Sequence, residues 1–283
     1  MAFSSKLIVV LVDGLKESTA RKCCGFLMGL VEEKRGTLFS VVSELPSLSR
    51  PLYETLFTGR VPVTGGFVTN SSQRKAGAAS VFDLVKAAGG VTALAGYGWM
   101  CELFAHTPYC AAKHKHLAPG NGSAVDAGWF YTRDDLPDTE LFAEGDWLIA
   151  NYSPDFCVIH PMGVDEAGHV SDMGGADADY DRAARNVDWL LAERIPAWLA
   201  AGYRVIVTAG FLCRFTGFYP YTGANLMCSA PSTMVNAGVS PRVRAKKAAR
   251  YRCFTGSSVT ASPFIPSPKQ KQGTRRSAAS VPP

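Results

Sequence analysis

A carboxylate and an imidazole lie four residues apart in the segment VIHPMGVDEAGHVSDMGG, residues 158–175. Asp165 and His169 follow an apolar run typical of a buried strand, in a Gly-rich stretch that we expect to be a loop. Carboxylate oxygen and imidazole nitrogen are ligands that zinc accepts, and a short loop can direct both at one ion. The spacing therefore indicates a metal-binding pair. The alternative is a helix-capping aspartate beside a solvent-facing histidine.

Two further groups that could do chemistry follow predicted strands. Asp13 comes directly after the β-branched run LIVVLV, residues 7–12, although Asp-Gly after a strand is also an ordinary turn. Ser49 lies between a strand end and a helix that Pro51 can begin. Helix N-terminal amides there would favour a phosphate and the alkoxide form of the serine. The competing interpretation of Ser49 is an N-cap residue.

The elements that must position these residues alternate along the chain. Strands are predicted at residues 7–12, 38–45, 91–95, 156–160 and 203–209, and helices at residues 16–31, 51–58, 80–88 and along a stripe from Tyr180 to Ile195. This alternation predicts an α/β fold with an open, mostly parallel central sheet flanked by helices, in which ligands lie beyond the carboxyl ends of the strands. Asp13, Ser49 and Asp165 all fall at such ends.

Residues 99–147 interrupt this rhythm. The segment is rich in aromatic residues, Gly and Pro, and we interpret it as a cap or long insertion over the sheet edge.

The charge distribution divides the chain at about residue 209. Residues 1–209 carry 18 Lys or Arg and 24 Asp or Glu, whereas residues 210–283 carry eleven Lys or Arg and no acidic side chain. We therefore predict an α/β domain over residues 1–209 and an irregular basic tail over residues 210–283.

No feature of the sequence indicates a membrane or secreted protein. No apolar stretch approaches the roughly 20 residues of a membrane span, and the first apolar run is too short for a signal peptide. The eight cysteines show no Cys-x-x-Cys spacing, which argues against a zinc ribbon or a disulfide scaffold. These observations predict a cytoplasmic protein with no membrane partner.

Three motifs together resemble the alkaline phosphatase superfamily, and most closely its nucleotide pyrophosphatase/phosphodiesterase branch. In that family a strand ends in Asp-Gly, a Ser or Thr nucleophile precedes a Pro-started helix ending in Leu-x-Thr-Gly, and Asp-x-x-x-His follows a later strand. Here they read VVLVDGL, SRPLYETLFTG and VDEAGHV. The resemblance spans about residues 6–209.

The resemblance implies a metal-dependent hydrolase of phosphate esters, acting on phosphodiester or pyrophosphate bonds of a small-molecule substrate. Ser49 would be the nucleophile and would bridge two zinc ions. Asp13 would bind one ion, and Asp165 with His169 would bind the other. Two such ions stabilise the attacking and the leaving oxygens during in-line displacement.

The sequence also departs from the family pattern near the nucleophile. The branch usually has Asn-His after the Pro, where this chain has Leu52-Tyr53, so a donor to the transition state is missing. Arg50 could contact a phosphate oxygen instead, but we expect it to be solvated. We expect His160 to pack or hydrogen-bond locally, and we do not assign it to a metal.

A third metal motif is missing. The family places Asp-His-Gly after the strand that here reads VIVTA, and later another His-Gly, whereas this chain continues GFLCRFTG. Loss of these ligands predicts impaired hydrolysis. We interpret residues 210–283 as the result of a reading-frame slip near Ala209, because the segment lacks acidic residues and strand or helix periodicity. Two alternatives are a diverged, non-catalytic member and a genuine tail that binds nucleic acid or an acidic surface through its basic residues.

Overall fold

The computed structural model describes residues 6–41, 43–170 and 178–209, together with the backbone of residues 224–229. All of them fall within one compact unit, Met1–Val235. Their central feature is a sheet with the strand order β2-β8-β7-β1-β6-β3-β5-β4. Its strands are β1 Lys6–Val12, β2 Gly36–Val41, β3 Thr92–Tyr97, β4 His116–Leu117, β5 Ala127–Tyr131, β6 Phe156–Ile159, β7 Tyr203–Ala209 and β8 Ala224–Ser229.

Helices connect these strands and cover the sheet. They are α1 Glu17–Cys23, α2 Gly25–Glu32, α3 Ser49–Thr58, α4 Pro62–Gly65, α5 Val81–Ala87, α6 Gly98–Phe104, α7 Ala111–His114, α8 Asp138–Tyr152, α9 Gly163–Val170 and α10 Ala178–Ala200. The five strands β7, β1, β6, β3 and β5 pair in parallel, whereas β8 and β4 join antiparallel. The predicted mostly parallel α/β sheet is confirmed.

The central strand β1 has a core on each face because successive side chains of a strand point to opposite sides. Ile8, Val10 and Val12 pack into the cluster formed with α1, α2, α8 and α10. Val9 and Leu11 pack into the second cluster, which includes residues of α3, α5 and α6. A strand buried on both faces reads as a continuous apolar run, which explains the sequence LIVVLV.

The predicted helix over residues 16–31 is two helices. It breaks at Cys24, whose backbone leaves the helical region with φ −92° and ψ 73°. The carboxylate of Asp188 in α10 accepts the amide hydrogens of Phe26 and Leu27 at 2.8 and 3.1 Å. This contact satisfies the first turn of α2, so a distant residue, rather than the local apolar pattern, divides the segment.

Residues 99–147, which we interpreted as a cap or insertion, contribute to the sheet itself. The aromatic segment β5 is buried along its length and pairs in parallel with β3, and β4 extends the edge beyond it. In the predicted irregular tail, β8 is a regular strand between β7 and β2. The other residues of the tail lie outside the described part of the chain, and the division at residue 209 stays a prediction.

Gly14 lets two functional segments approach each other closely. Its φ is +70°, and a Cβ added there would lie 2.6 Å from the Cα of Asp165. Only glycine combines this left-handed conformation with such a contact at low cost. The end of β1 therefore packs directly against the first turn of α9, which brings Asp13 and Asp165 together.

Asp138, at the start of α8, fixes the other side of α9. Its Oδ1 accepts the amide hydrogen of Gly163 at 3.2 Å, and a Cβ at Gly163 would lie 2.5 Å from its Oδ2. Burial raises the pKa of Asp138 to about 6, although hydrogen bonds from the amides of Gly163 and Met162 oppose this rise. The first residue of α9 is thus held by a carboxyl group that titrates near neutral pH.

Within the described ranges, none of the helices has the length and apolar character that crossing a membrane requires.

Gly14→Ala is expected to lower the free energy of unfolding by about 2–4 kcal/mol, because it adds left-handed strain and an overpacked contact with Asp165. Gly29→Ala is the matched control. Gly29 lies inside α2 with no atom near its Cβ position, so the same change should stabilise the protein by about 0.5–1 kcal/mol. Chemical denaturation measures both. Equal effects of the two substitutions would contradict the proposed close approach.

Asp138→Asn is expected to change how stability depends on pH. The pKa of Asp138 is higher in the folded state than its ordinary value of 3.8, so the folded protein holds the proton more tightly. Its contribution is full below pH 4 and is lost as pH rises toward 6. The free energy of unfolding of the wild type, relative to Asp138→Asn, should fall by about 3 kcal/mol over this interval. Urea titrations at several pH values would refute the effect if this difference stayed constant.

Candidate active site

The hydroxyl of Tyr53 lies at the centre of the candidate site. Tyr53 is buried in α3 and donates a hydrogen bond to Oδ2 of Asp13, which has no exposed surface at the end of β1. The same hydroxyl is 2.9 Å from Nε2 of His160, the residue that follows β6. Ser49, one helical turn before Tyr53, lies close enough to this hydroxyl to act on it electrostatically, in the direction that lowers its pKa. Groups from two strand ends and one helix therefore meet at a single oxygen.

The surroundings of His160 determine the charge and the tautomer of its ring. Burial lowers its pKa to about 3, so the ring is neutral. Nδ1 faces the amide hydrogen of Tyr97 at 3.4 Å, which assigns the single ring proton to Nε2. His160 then donates to Tyr53, and Tyr53 donates to Asp13. Burial, and then the charge of Asp13, raise the pKa of Tyr53, so that the hydroxyl keeps the proton that it donates.

Ser49 is the first residue of α3 and is buried. The N-cap is Leu48, which makes no side-chain capping bond, so the N-cap interpretation of Ser49 is wrong. The amide hydrogen of Arg50 donates to Oδ1 of Asn70 at 3.0 Å, and Pro51 has no amide hydrogen. Two of the first three amide positions of α3 are thus unable to donate to a phosphate, contrary to the expectation for this helix start.

Asp165 and His169 lie in α9, not in the predicted loop. They still meet, because residues four apart share one face of a helix. Nε2 of His169 is 3.4 Å from Oδ2 of Asp165, and the His169 side chain is 48% exposed while that of Asp165 is buried. Burial, and then the charge of Asp13, raise the pKa of Asp165. The imidazole therefore lies at the solvent side of a carboxylate pair.

Arg50 is buried and is not the solvated residue that the sequence suggested. Its guanidinium forms an ion pair with Glu102 in α6, and both side chains are almost completely buried. It also donates to the carbonyl of Asn70 at 3.1 Å and lies over the ring of Trp99. These contacts direct the guanidinium into the protein interior. Arg50 therefore anchors the start of α3, where Ser49 lies, to the protein interior.

The predicted zinc ligands fit one ion better than two. Ligand atoms bonded tetrahedrally to zinc at about 2.1 Å lie about 3.4 Å apart, which is the separation of Asp165 Oδ2 and His169 Nε2. Among the described residues, the buried Oδ1 of Asp165 has no hydrogen-bond partner, as expected of an oxygen arranged for a cation. Oδ2 of Asp13, in contrast, already accepts the hydroxyl of Tyr53.

The described ranges contain no group of three His, Cys, Asp or Glu side chains placed to hold a metal ion. The donor set that they supply is therefore incomplete for the two-zinc site that we predicted.

Tyr53 and His160 belong to the site, although the sequence pattern did not indicate them. Tyr53 could have been found from its position, because a residue four after Ser49 lies on the same helix face. His160 directly follows a strand, as Asp13 does, but we expected only local contacts for it. Its partner Tyr53 is 107 positions away, a separation that no local pattern reveals.

No protein-family model matches the chain, and no curated protein matches it significantly. Solved structures do match. Murine ectonucleotide pyrophosphatase/phosphodiesterase 5, in an inactive form complexed with AMP, is 17% identical with a TM-score of 0.55, over 73% of this chain and 57% of that one. Phosphonoacetate hydrolase from Sinorhizobium meliloti, complexed with phosphonoacetate, is 17% identical with a TM-score of 0.50, over 73% and 56%.

A third structure, an alkaline phosphatase superfamily protein from Vibrio parahaemolyticus, is 15% identical with a TM-score of 0.50, over 80% of this chain and 60% of that one. The chain spans somewhat more than half the length of these proteins. The shared feature is the mostly parallel sheet with helices on both faces. The chain therefore has the fold of alkaline phosphatase superfamily structures, a nucleotide pyrophosphatase/phosphodiesterase among them, in agreement with the resemblance of its three motifs.

Proposed function

We propose that this chain carries a hydrolase site for small-molecule phosphate esters, with Ser49 as the nucleophile. The observation that carries the proposal is the meeting of Ser49, Asp13 and Asp165 at the carboxyl ends of the parallel strands. These residues come from α3, β1 and α9, and they are joined through the Tyr53 hydroxyl and the Gly14 contact. In open α/β sheets this edge is where ligands bind.

Ser49 would attack phosphorus with Oγ, forming a covalent phosphoserine as the bond to the leaving oxygen breaks. Water then hydrolyses the phosphoserine. The Ser49 side chain lies beside the Tyr53 hydroxyl. The buried Arg50–Glu102 pair holds the helix start on which Ser49 sits. A fixed backbone at the nucleophile favours an in-line approach.

A divalent cation, with zinc the ion suggested by the ligand types, would be held by Asp165 and His169. It would supply positive charge for the transferring phosphoryl group. The exposed imidazole of His169 and the buried carboxylate of Asp165 lie 3.4 Å apart. Asp13 lies on the far side of the Asp165 carboxylate. Two protein ligands bind an ion weakly compared with three or four. We therefore propose a slow enzyme, and the second predicted zinc ion is the less supported of the two.

The ligands of similar structures support the substrate class that we propose. The murine phosphodiesterase holds AMP, and the bacterial hydrolase holds phosphonoacetate. Both ligands present an anionic phosphorus group on a small organic molecule. For this chain we propose a phosphodiester or pyrophosphate substrate of similar size. The alternative of a nucleic-acid-binding basic tail concerns residues outside the described part of the chain and stays a prediction.

Ser49→Ala is expected to lower zinc-dependent hydrolysis of bis(p-nitrophenyl) phosphate by at least about 100-fold, because it removes the attacking oxygen. The control is Ser71→Ala, which removes an exposed hydroxyl bonded only locally to Thr69, and which should leave the rate unchanged. Nitrophenolate release measures both. The proposal would be refuted if purified wild type and Ser49→Ala, both folded by circular dichroism, gave equal rates.

A further inference from the structure

The Tyr53 hydroxyl occupies a position in which a cation could bind. Oδ2 of Asp13 and Nε2 of His160 are 3.9 Å apart, and the hydroxyl lies between them, bonded to both. Two bonds to zinc of about 2.1 Å span at most about 4.2 Å. The hydroxyl is 2.9 Å from Nε2, so an ion that binds both atoms would have to lie closer to His160 than the hydroxyl does, and the two could not be present together. Ser49, which lies near this hydroxyl, would be a candidate third donor.

Hydrogen bonds compensate the buried negative charge of Asp13 without a metal. A buried carboxylate requires either a cation or well-directed donors. Tyr53 supplies one donor, and the amide of Gly14 supplies another to Oδ1 at 3.1 Å. His160 donates to Tyr53 in turn, and this polarises the hydroxyl toward Asp13. Tyr53, His160 and the Gly14 amide are neutral, so Asp13 carries the only charge in this hydrogen-bonded group.

The tautomer of His160 also disfavours a metal at this position. An ion would need the Nε2 lone pair, so the ring proton would have to move to Nδ1. Nδ1 faces the amide hydrogen of Tyr97, and two hydrogens would then point at each other. The contact between Nδ1 and the Tyr97 amide is long, at 3.4 Å. Losing it therefore costs less free energy than displacing the Tyr53 hydroxyl from Asp13.

We propose that Tyr53 takes the place of a metal ion at Asp13, so that the described site binds one divalent cation, at Asp165 and His169, and excludes a second. Tyr53 would thus determine the metal stoichiometry. The inference rests on the proposed function only for the first ion, and it does not require that the chain hydrolyse any substrate.

The test is zinc titration by calorimetry, with a competing chelator, on the full chain. Tyr53→Phe removes the hydroxyl and should create a second zinc site, or tighten zinc binding by at least about tenfold. The gain should disappear in the double variant Tyr53→Phe/Asp13→Asn. Tyr131→Phe is the matched control, because it removes a buried hydroxyl that bonds to the carbonyl of His160 at 3.2 Å. It should leave zinc binding unchanged.

A folded Tyr53→Phe that binds zinc no better than wild type would overturn the proposal, as would an equal gain in Tyr131→Phe. The stoichiometry of the wild type provides a test that does not depend on the stability of Tyr53→Phe. The wild type should bind one zinc ion per chain, and two ions per chain would overturn the proposal. Hydrolysis is measured separately on the wild type. A second ion in Tyr53→Phe with no hydrolysis by the wild type refutes the proposed function alone. Hydrolysis by the wild type with no second ion in Tyr53→Phe refutes this inference alone.

Discussion

The carboxylate of Asp13 lies at the end of the central strand with no contact with solvent. Its charge is costly in that position unless donors or a cation surround it. The hydroxyl of Tyr53 meets this requirement, and His160 orients the hydroxyl from the neighbouring strand end. These three side chains come from β1, α3 and β6, so the compensation of one charge also fixes how these elements meet at the sheet edge.

The packing around this charge supports the same arrangement. Gly14 allows α9 to touch the end of β1, and Asp138 holds the first residue of α9. As a result Asp165 lies beside Asp13, and the charge of Asp13, after burial, raises the pKa of Asp165. In the described part of the chain, Oδ1 of Asp165 is buried without a hydrogen-bond partner, and Oδ2 faces Nε2 of His169 at 3.4 Å, which is the position proposed for the cation.

Local sequence patterns predicted the elements whose structure is determined locally. Strand β7 has the predicted bounds, and Gly59 ends α3 in the left-handed conformation that glycine favours. The pattern failed for α9, because the glycines of GVDEAGH suggested a loop, whereas Asp138 and the buried Val164 hold the segment as a helix.

The candidate site was predictable in part. The residue types and strand ends indicated Asp13, Ser49 and Asp165, and the structure brings them together. It also joins His169 to Asp165 on one helix face. The contact between Tyr53 and His160 was not predictable, and neither was the burial of Arg50 against Glu102, which is 52 residues away. Such partners are fixed by the sheet order rather than by spacing.

Anomalous diffraction at the zinc edge, from crystals soaked in zinc, tests the role of Tyr53 most directly. One peak is expected, about 2 Å from both the Asp165 carboxylate and Nε2 of His169, with the Tyr53 hydroxyl still bonded to Asp13 and His160. A peak bound to Asp13 and Ser49, with the phenol displaced, would contradict this role.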